Sequence, residues 1–147
     1  MLYQFKISTN GYAPEIFFTI AFDNVIIGNF ICDSRPHVIN HTVGELEDNI
    51  EIQRNFQITM HGKTQTHTVV DNHGNIQSDC YAIINKIIFD DIDVTDEFCQ
   101  GQGTYIHNNN GNSNTINDEF YGFMGCNGTV NLTFSTPLHL WMLEKCQ

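Results

Sequence analysis

The chain has 147 residues, of which 41% are hydrophobic and 12% aromatic, enough for one domain with its own core and too much for a disordered segment. Six basic against seventeen acidic residues give a formal net charge of -11. We therefore expect neither nucleic acid nor an anionic membrane as a partner, because both are bound through clustered Lys and Arg.

Alternating residues predict short strands through the first third of the chain. Residues 3–7 alternate apolar and polar side chains. Residues 16–22 place large apolar side chains on one face and Phe, Thr and Ala on the other, so both faces look covered, as in the interior of a sandwich. A turn at 23–24 followed by the run VIIGNFI predicts a hairpin. Residues 37–42 predict a short edge strand, and an acidic connection follows at 45–48.

The stretch 54–96 is predicted to be the platform of the fold. Apolar and polar residues alternate from 56 to 60, which is the period of a half-buried strand. A Gly-Lys turn, a Thr/His/Val strand and a loop at 71–75 come next, before an Ile-rich strand at 81–89. We expect these strands to pair with one another. Arg54 falls on the apolar face, so it should lie at a strand end or against an acid.

The last third predicts a long loop and two closing strands. The stretch at about 100–118 is rich in Gly and Asn, which tolerate positive φ and indicate an exposed loop. Residues 129–134 and, after Pro137, the run LHLWMLE alternate as strands, and no stretch has convincing helical spacing. The pattern predicts an all-β fold, a single-domain antiparallel β-sandwich of the jelly-roll or Greek-key type over residues 1–147.

Two carboxylates in the central stretch have spacing that suits a hard cation. Asp71 and Asp79, with Asn75 between them, could supply oxygen ligands to calcium, although the order of an EF-hand loop is absent. The alternative is a β-turn in which Asp and Asn bond their own backbone. Apart from calcium, no cofactor is expected.

Amide and aromatic side chains in the late loop region are candidates for contacts with a partner or a sugar, because long exposed loops often carry binding residues. These candidates are Tyr105, Asn108, Asn109, Asn110, Asn112 and Tyr121. Neither a nucleophile motif nor a phosphate loop is present, so no enzyme is expected. Asp91 and Asp93, on one face of a strand, leave a hydrolase as the remaining enzymatic alternative, with solvated acids as the other interpretation.

The five cysteines are widely and irregularly spaced, without a C-x-x-C motif, so a zinc or redox motif is not expected. Their odd number argues against a fully paired framework, and most should be reduced thiols in a protein folded in a cytoplasm. A single disulfide bridge between two of the cysteines remains an open alternative. The first residues lack the pattern of a secretion signal, and no apolar run approaches membrane-spanning length.

The runs ITMHGKTQTHTVVDNHGNIQSD, IINKIIFDDIDVTDEF and GTVNLTFSTPLHLWMLE resemble small β-rich structural proteins of tailed, T4-like cyanobacterial bacteriophages. The resemblance implies a capsid decoration, neck, baseplate or fibre-associated protein. Such a protein would be made in the host cytoplasm, reside in the virion, contact other virion proteins and form a homo-oligomer.

The same order of features is similar to calcium-dependent carbohydrate-binding jelly rolls. That likeness implies a cation near Asp71 and Asp79, but the chain has Asp79-Cys80-Tyr81 where such modules often carry Asp-Arg-Asn. The first hypothesis is therefore a non-enzymatic virion structural protein, and the alternative is a calcium-dependent carbohydrate-binding module.

Overall fold

A computed structural model describes residues 2–44, 49–111 and 113–145. The strands are β1 (Leu2–Asn10), β2 (Tyr12–Phe22), β3 (Val25–Asp33), β4 (Pro36–Thr42), β5 (Ile52–His61), β6 (Val69–Val70), β7 (Ile76–Ser78), β8 (Tyr81–Phe89), β9 (Ile92–Asp93), β10 (Gly103–His107), β11 (Ile116–Phe120), β12 (Phe123–Met124) and β13 (Gly128–Thr136). The helices are a 3₁₀ turn (Gln65–His67), α1 (Thr95–Cys99) and α2 (Leu138–Lys145).

All described strands except β6 and β7 form two antiparallel sheets that face each other. The first sheet has the order β12-β8-β1-β4, with β9 also paired to β8, and the second has the order β11-β10-β13-β5-β2-β3. Strands distant in sequence are neighbours, as in the Greek-key connections of jelly rolls. The prediction of an all-β antiparallel sandwich of this type is confirmed. None of the described helices is both long enough and apolar enough to span a bilayer.

Aromatic side chains from both sheets fill the core. Phe5 of β1 meets Phe56 of β5 across the sandwich, with ring centroids 4.4 Å apart, and Tyr3 packs against Phe89 at 4.7 Å. These residues occupy alternate positions of their strands and are fully buried, so the period of two in the sequence is the pattern of the core. Each buried ring contributes about 2–3 kcal/mol to folding through the removal of apolar surface from water.

The prediction that the strands of residues 54–96 pair into a single platform is wrong. β5 lies in the second sheet and β8 in the first, because the chain between them crosses from one sheet to the other. The expected Thr/His/Val strand is mostly a 3₁₀ turn, and only Val69 and Val70 are extended, in a separate two-stranded hairpin with β7. Exposed Val and Ile side chains in this hairpin show that it covers no core.

The expectation of an all-strand chain fails at the C-terminal region. The run LHLWMLE forms α2 rather than a strand, and its buried residues, Leu138 and Trp141, are three positions apart, as on one helix face. Trp141 stacks on Phe98 of α1 with centroids 5.2 Å apart. Pro137 precedes the helix and suits its first turn, and Trp141 donates its backbone N–H to the Pro137 carbonyl at 3.3 Å.

Other local predictions are confirmed. β2 and β3 form the expected hairpin, with positive φ at Asp23 and Asn24 in its turn, and β4 is an edge strand. Arg54 meets an acid as expected, Nη1 lying 2.7 Å from Asp23 Oδ2. The acidic connection at 45–48 lies outside the described residues. The loop predicted at about 100–118 is shorter, because β10 and β11 occupy both of its ends.

Candidate functional site

A groove of about 690 Å³ opens at one lateral edge of the sandwich. β11 ends the second sheet at this edge and β12 ends the first. The chain crosses between them through Tyr121 and Gly122, where Gly122 has a φ of +90° that favours glycine. The lining of the groove includes Tyr105, His107, Asp118, Tyr121, Phe123 and Cys126.

The groove is open because the first sheet is short at this edge. β12 has only two residues, so it leaves the inner face of β10 and β11 partly uncovered. Asp118 of β11 pairs with Tyr105 of β10 and therefore faces inward, yet it is exposed. Inward polar side chains are thus accessible here, whereas the same face is buried and apolar farther into the sandwich.

His107 and Asp118 form a hydrogen-bonded pair on the floor of the groove. His107 Nε2 lies 2.7 Å from Asp118 Oδ2, and the backbone N–H of Asn109 donates to His107 Nδ1 at 3.2 Å. Because Nδ1 accepts this bond, the neutral ring carries its proton on Nε2 and donates it to Asp118. The second Asp118 oxygen is free of this bond and remains able to accept one from a ligand.

Two exposed aromatic rings form the rim. Tyr121 is 65% exposed and Phe123 is 47% exposed. The Tyr121 hydroxyl donates to Glu119 Oε2 at 2.6 Å, and this bond to the carboxylate raises the pKa of Tyr121. Phe123 packs against Tyr81 with centroids 4.9 Å apart. Both rings are therefore held in place while keeping exposed surface.

The wall at 125–127 is fixed by a buried lysine. Lys63 Nζ donates to the Gly125 carbonyl at 2.6 Å. The Lys63 backbone N–H donates to Asn127 Oδ1 at 2.9 Å, and Asn127 Nδ2 donates back to the Lys63 carbonyl at 2.7 Å. These bonds tie the wall to the end of β5, which is a central strand of the second sheet.

Asp79 neutralises this lysine. The side chains of Lys63 and Asp79 are 2% and 18% exposed, and Nζ lies 2.8 Å from Oδ1. Burial raises the pKa of Asp79, but the hydrogen bonds from Lys63, Thr68 and the Cys80 backbone outweigh burial and leave the pKa below its ordinary value. Asp79 therefore acts as an ionised partner for the lysine that holds the groove wall.

Tyr105 and Asn110 support the same wall. The Tyr105 ring is buried, its hydroxyl donates to the Cys126 carbonyl, and the Cys126 N–H donates to that hydroxyl at 3.0 Å. Asn110 Oδ1 accepts the backbone N–H of Asn127 at 2.8 Å. Burial raises the pKa of Tyr105, so its hydroxyl remains a donor at neutral pH.

The structure brings only some of the predicted binding residues to the groove. Tyr105 and Tyr121 line it, whereas Asn108 and Asn109 belong to the β10–β11 turn, in which Asn108 Oδ1 accepts the Gly111 N–H at 2.9 Å. Asn112 lies outside the described residues. The role of all six predicted binding residues as ligand contacts stays a prediction.

Of the three predicted calcium ligands, Asp71 and Asn75 lie together, whereas Asp79 lies apart from them. Asp71 lies at the tip of the β6–β7 hairpin and Asp79 at its base, about three strand residues or ~10 Å away. Asp71 Oδ1 accepts the N–H groups of His73 and Asn75 at 2.8 and 2.9 Å, as the turn alternative expects. Within the described ranges, no group of three or more His, Cys, Asp or Glu residues could hold a metal ion. Calcium binding stays a prediction.

The acids proposed for the hydrolase alternative have structural positions. Asp91 has a φ of +68° in the turn between β8 and β9. Asp93 Oδ1 accepts the backbone N–H of Thr95 at 3.0 Å, at the start of α1. These contacts are those of a turn and a helix start, and none of them involves the groove.

Sequence reasoning missed Lys63, His107 and Asp118. The aromatic run around Tyr121 was a local signal for the rim, and Phe123 belongs to that run. Nothing near Lys63 in the sequence indicates burial, because Asp79, Gly125 and Asn127 reach it only through the fold.

No protein-family model matches the chain, and no curated protein matches its sequence. Among solved structures, one titled "vCBM60 in complex with galactobiose" is similar, with a TM-score of 0.46 and 6% sequence identity. The alignment covers 89% of this chain and 96% of that chain.

Proposed function

We propose that this protein is a non-enzymatic carbohydrate-binding module that holds a saccharide in the groove at the β11–β12 edge. The observation that carries the proposal is the pair of exposed rings, Tyr121 and Phe123, on the rim of a groove with polar groups on its floor. A sugar ring offers an apolar C–H face to an aromatic ring and hydroxyls to polar groups. Concave sites that combine apolar contact with a few oriented polar groups are typical of small-ligand binding.

The polar groups are already oriented. His107 fixes one oxygen of Asp118, and Lys63 fixes the Gly125 carbonyl. A ligand hydroxyl therefore meets acceptor oxygens that lose little freedom on binding, which is the physical basis of preorganised affinity.

The charge of the groove selects among saccharides. Asp118 and Glu119 both lie in its lining, and the whole chain carries a formal charge of -11. An acidic saccharide would meet like charge in and around the groove, so the proposed ligand is a neutral or amino sugar.

The arrangement of these two carboxylates supports binding rather than hydrolysis. Asp118 and Glu119 are consecutive on β11, so their side chains leave opposite faces of the strand and reach the edge groove from its inner and its outer side. Glycosidases need two carboxyl groups that flank one bond from opposite sides.

Titration calorimetry with a panel of neutral, amino and acidic oligosaccharides tests the proposal. Wild-type protein should bind a neutral or amino sugar, and Tyr121→Ala should weaken that binding at least tenfold, because it removes about 1.4 kcal/mol or more of aromatic contact. Tyr12→Ala is the matched control, since Tyr12 is an exposed tyrosine that does not line this groove.

Absence of binding across the panel would overturn the proposal. Equal affinity of wild type and Tyr121→Ala would also overturn it, because the sugar would then bind at a site other than this groove. The virion assembly hypothesis, with its particle partners, homo-oligomer and virion location, stays a prediction that rests on sequence resemblance.

A further inference from the structure

Two buried thiols from opposite sheets meet beside the corner between β1 and β2. Cys32 lies in β3 of the second sheet, and Cys80 directly precedes β8 of the first. The corner is Gly11, whose φ is +85°, and a Cβ built there would lie 2.6 Å from Cys80 Sγ. The Cys32 thiol donates to the Gly11 carbonyl at 3.4 Å and to the Asn10 carbonyl at 3.1 Å. Both sulfurs therefore lie beside the same glycine.

Strand pairing brings the two backbones to this corner. Asn10 pairs with Tyr81, the residue after Cys80, and Ala13 pairs with Cys32 itself. The corner between Asn10 and Ala13 is short, so the chain turns from one sheet to the other with a cysteine on each side. Both cysteines are free, and the nearby Cys80 thiol contributes to the raised pKa of Cys32.

We propose that Cys32 and Cys80 are a disulfide site that cross-links the two sheets when the protein meets an oxidising environment. The oxidant is a small-molecule disulfide of the glutathione class. Cys80 loses its proton and attacks one sulfur of the oxidant, which forms a mixed disulfide and releases one thiol. Cys32 then loses its proton and attacks the Cys80 sulfur, which releases the second thiol. The protein loses two hydrogens, and one molecule of oxidant becomes two thiols.

The order in which the two cysteines react follows from their accessibility to the oxidant. Cys80 lines a surface pocket together with Tyr12 and His67, whereas Cys32 is fully buried. Burial, with the Cys80 thiol as the next cause, raises the pKa of Cys32 to about 12. Cys32 is therefore protected from outside reagents. Its low thiolate fraction makes its attack on the Cys80 mixed disulfide the slow step of the oxidation.

The other described cysteines lie elsewhere. Cys99 packs beside Gly122, where a Cβ built on the glycine would be 3.7 Å from its sulfur. Cys126 lies in the wall of the groove. Neither position brings a sulfur to the Gly11 corner, so the structure assigns the bridge to one pair among the four described thiols.

The bridge would close a long loop that contains β4, β5 and the β6–β7 hairpin. It would also fix the backbone next to Asp79, the partner of Lys63. Restriction of the unfolded chain by a loop of this length should raise the melting temperature by roughly 10 °C.

The test uses the full chain incubated with oxidised glutathione, then alkylated, digested with trypsin and analysed by mass spectrometry. The sequence makes the mapping clear. Cys32 lies in the peptide 7–54, since the Arg35–Pro36 bond resists trypsin, and Cys80 lies in 64–86. Cys99 and Cys126 share the peptide 87–145. The expected product is a cross-link between peptides 7–54 and 64–86, with a melting temperature that returns to its original value after reduction.

Cys80→Ser should abolish the cross-link and the thermal shift, and Cys126→Ser is the matched control that should keep both. A persistent glutathione adduct without a cross-link would overturn the proposal. A bridge that includes peptide 87–145, or wild-type thiols that stay fully alkylatable after oxidation, would overturn it as well. Because the mapping is done on wild-type protein, the result does not depend on a variant that folds.

Discussion

Replacement of Asp79 by Asn should cost about 3 kcal/mol of unfolding free energy at pH 7. The substitution leaves the Lys63 ammonium, whose side chain is 2% exposed, without its carboxylate partner at 2.8 Å. Loss of one member of a buried ion pair typically costs 3–5 kcal/mol. The lower end applies because Asp79 is 18% exposed, so some water reaches the pair, and Asn keeps an oxygen that accepts hydrogen bonds.

Asp93→Asn is the matched control. Asp93 also pairs with a lysine, Lys86, but at 3.5 Å and with both side chains more than half exposed. Such pairs contribute at most about 1 kcal/mol, so this variant should remain close to wild type. Lys63→Met completes the set, because it removes the buried charge while it keeps the apolar stem. It should cost less than Asp79→Asn, and the double variant should not be worse than Asp79→Asn alone.

The assay is urea denaturation of all four variants at pH 7 and across the acid range. The folded-state pKa of Asp79 is below its unfolded value, so its stabilisation is present above the unfolded pKa of about 3.9 and is lost as the pH falls through the folded value. The stability gap between wild type and Asp79→Asn should therefore close below about pH 4. Equal costs for Asp79→Asn and Asp93→Asn at pH 7, or a gap that persists in acid, would refute the reasoning.

Three further outcomes are expected. The calcium prediction is tested by melting temperatures in calcium and in chelator: a calcium-dependent rise would support the cation site, and coincident values would refute it, since the two predicted carboxylate ligands lie at opposite ends of a hairpin. Gly62→Ala should cost about 3 kcal/mol or more in urea denaturation, since φ is +86° and the new Cβ would lie 2.1 Å from a backbone oxygen. Gly74→Ala, with φ of +82° and open space, should cost only about 1–2 kcal/mol; similar values would contradict the steric argument. Trp141→Ala should cost about 3–5 kcal/mol by removing the ring stacked on Phe98, whereas exposed Leu140→Ala should cost below about 0.5 kcal/mol. Near-equal stabilities would show that α2 does not anchor the fold.

Local patterns account for the part of the fold that sequence reasoning predicted. Phe56, Ile58 and Met60 alternate with polar residues, and the structure buries all three. The hairpin turn at Asp23 and Asn24 could also be predicted from neighbouring residues. Both turn positions have positive φ, which Asp and Asn tolerate better than most residues. A strand's period and a turn's chemistry are properties of neighbouring residues, so the sequence by itself determined the class of fold and most of its core.

Tertiary structure alone decided which sheet each strand joins and where a site forms. β5 and β8 looked like partners along the chain, yet each gains its core contacts in a different sheet. The run LHLWMLE fits a short strand as well as a helix, and the burial of Trp141 against Phe98 selects the helix. Lys63 becomes a buried support of the groove because Asp79 and Gly125 converge on it from distant parts of the sequence. The energies of these contacts depend on burial and distance, which no local pattern contains.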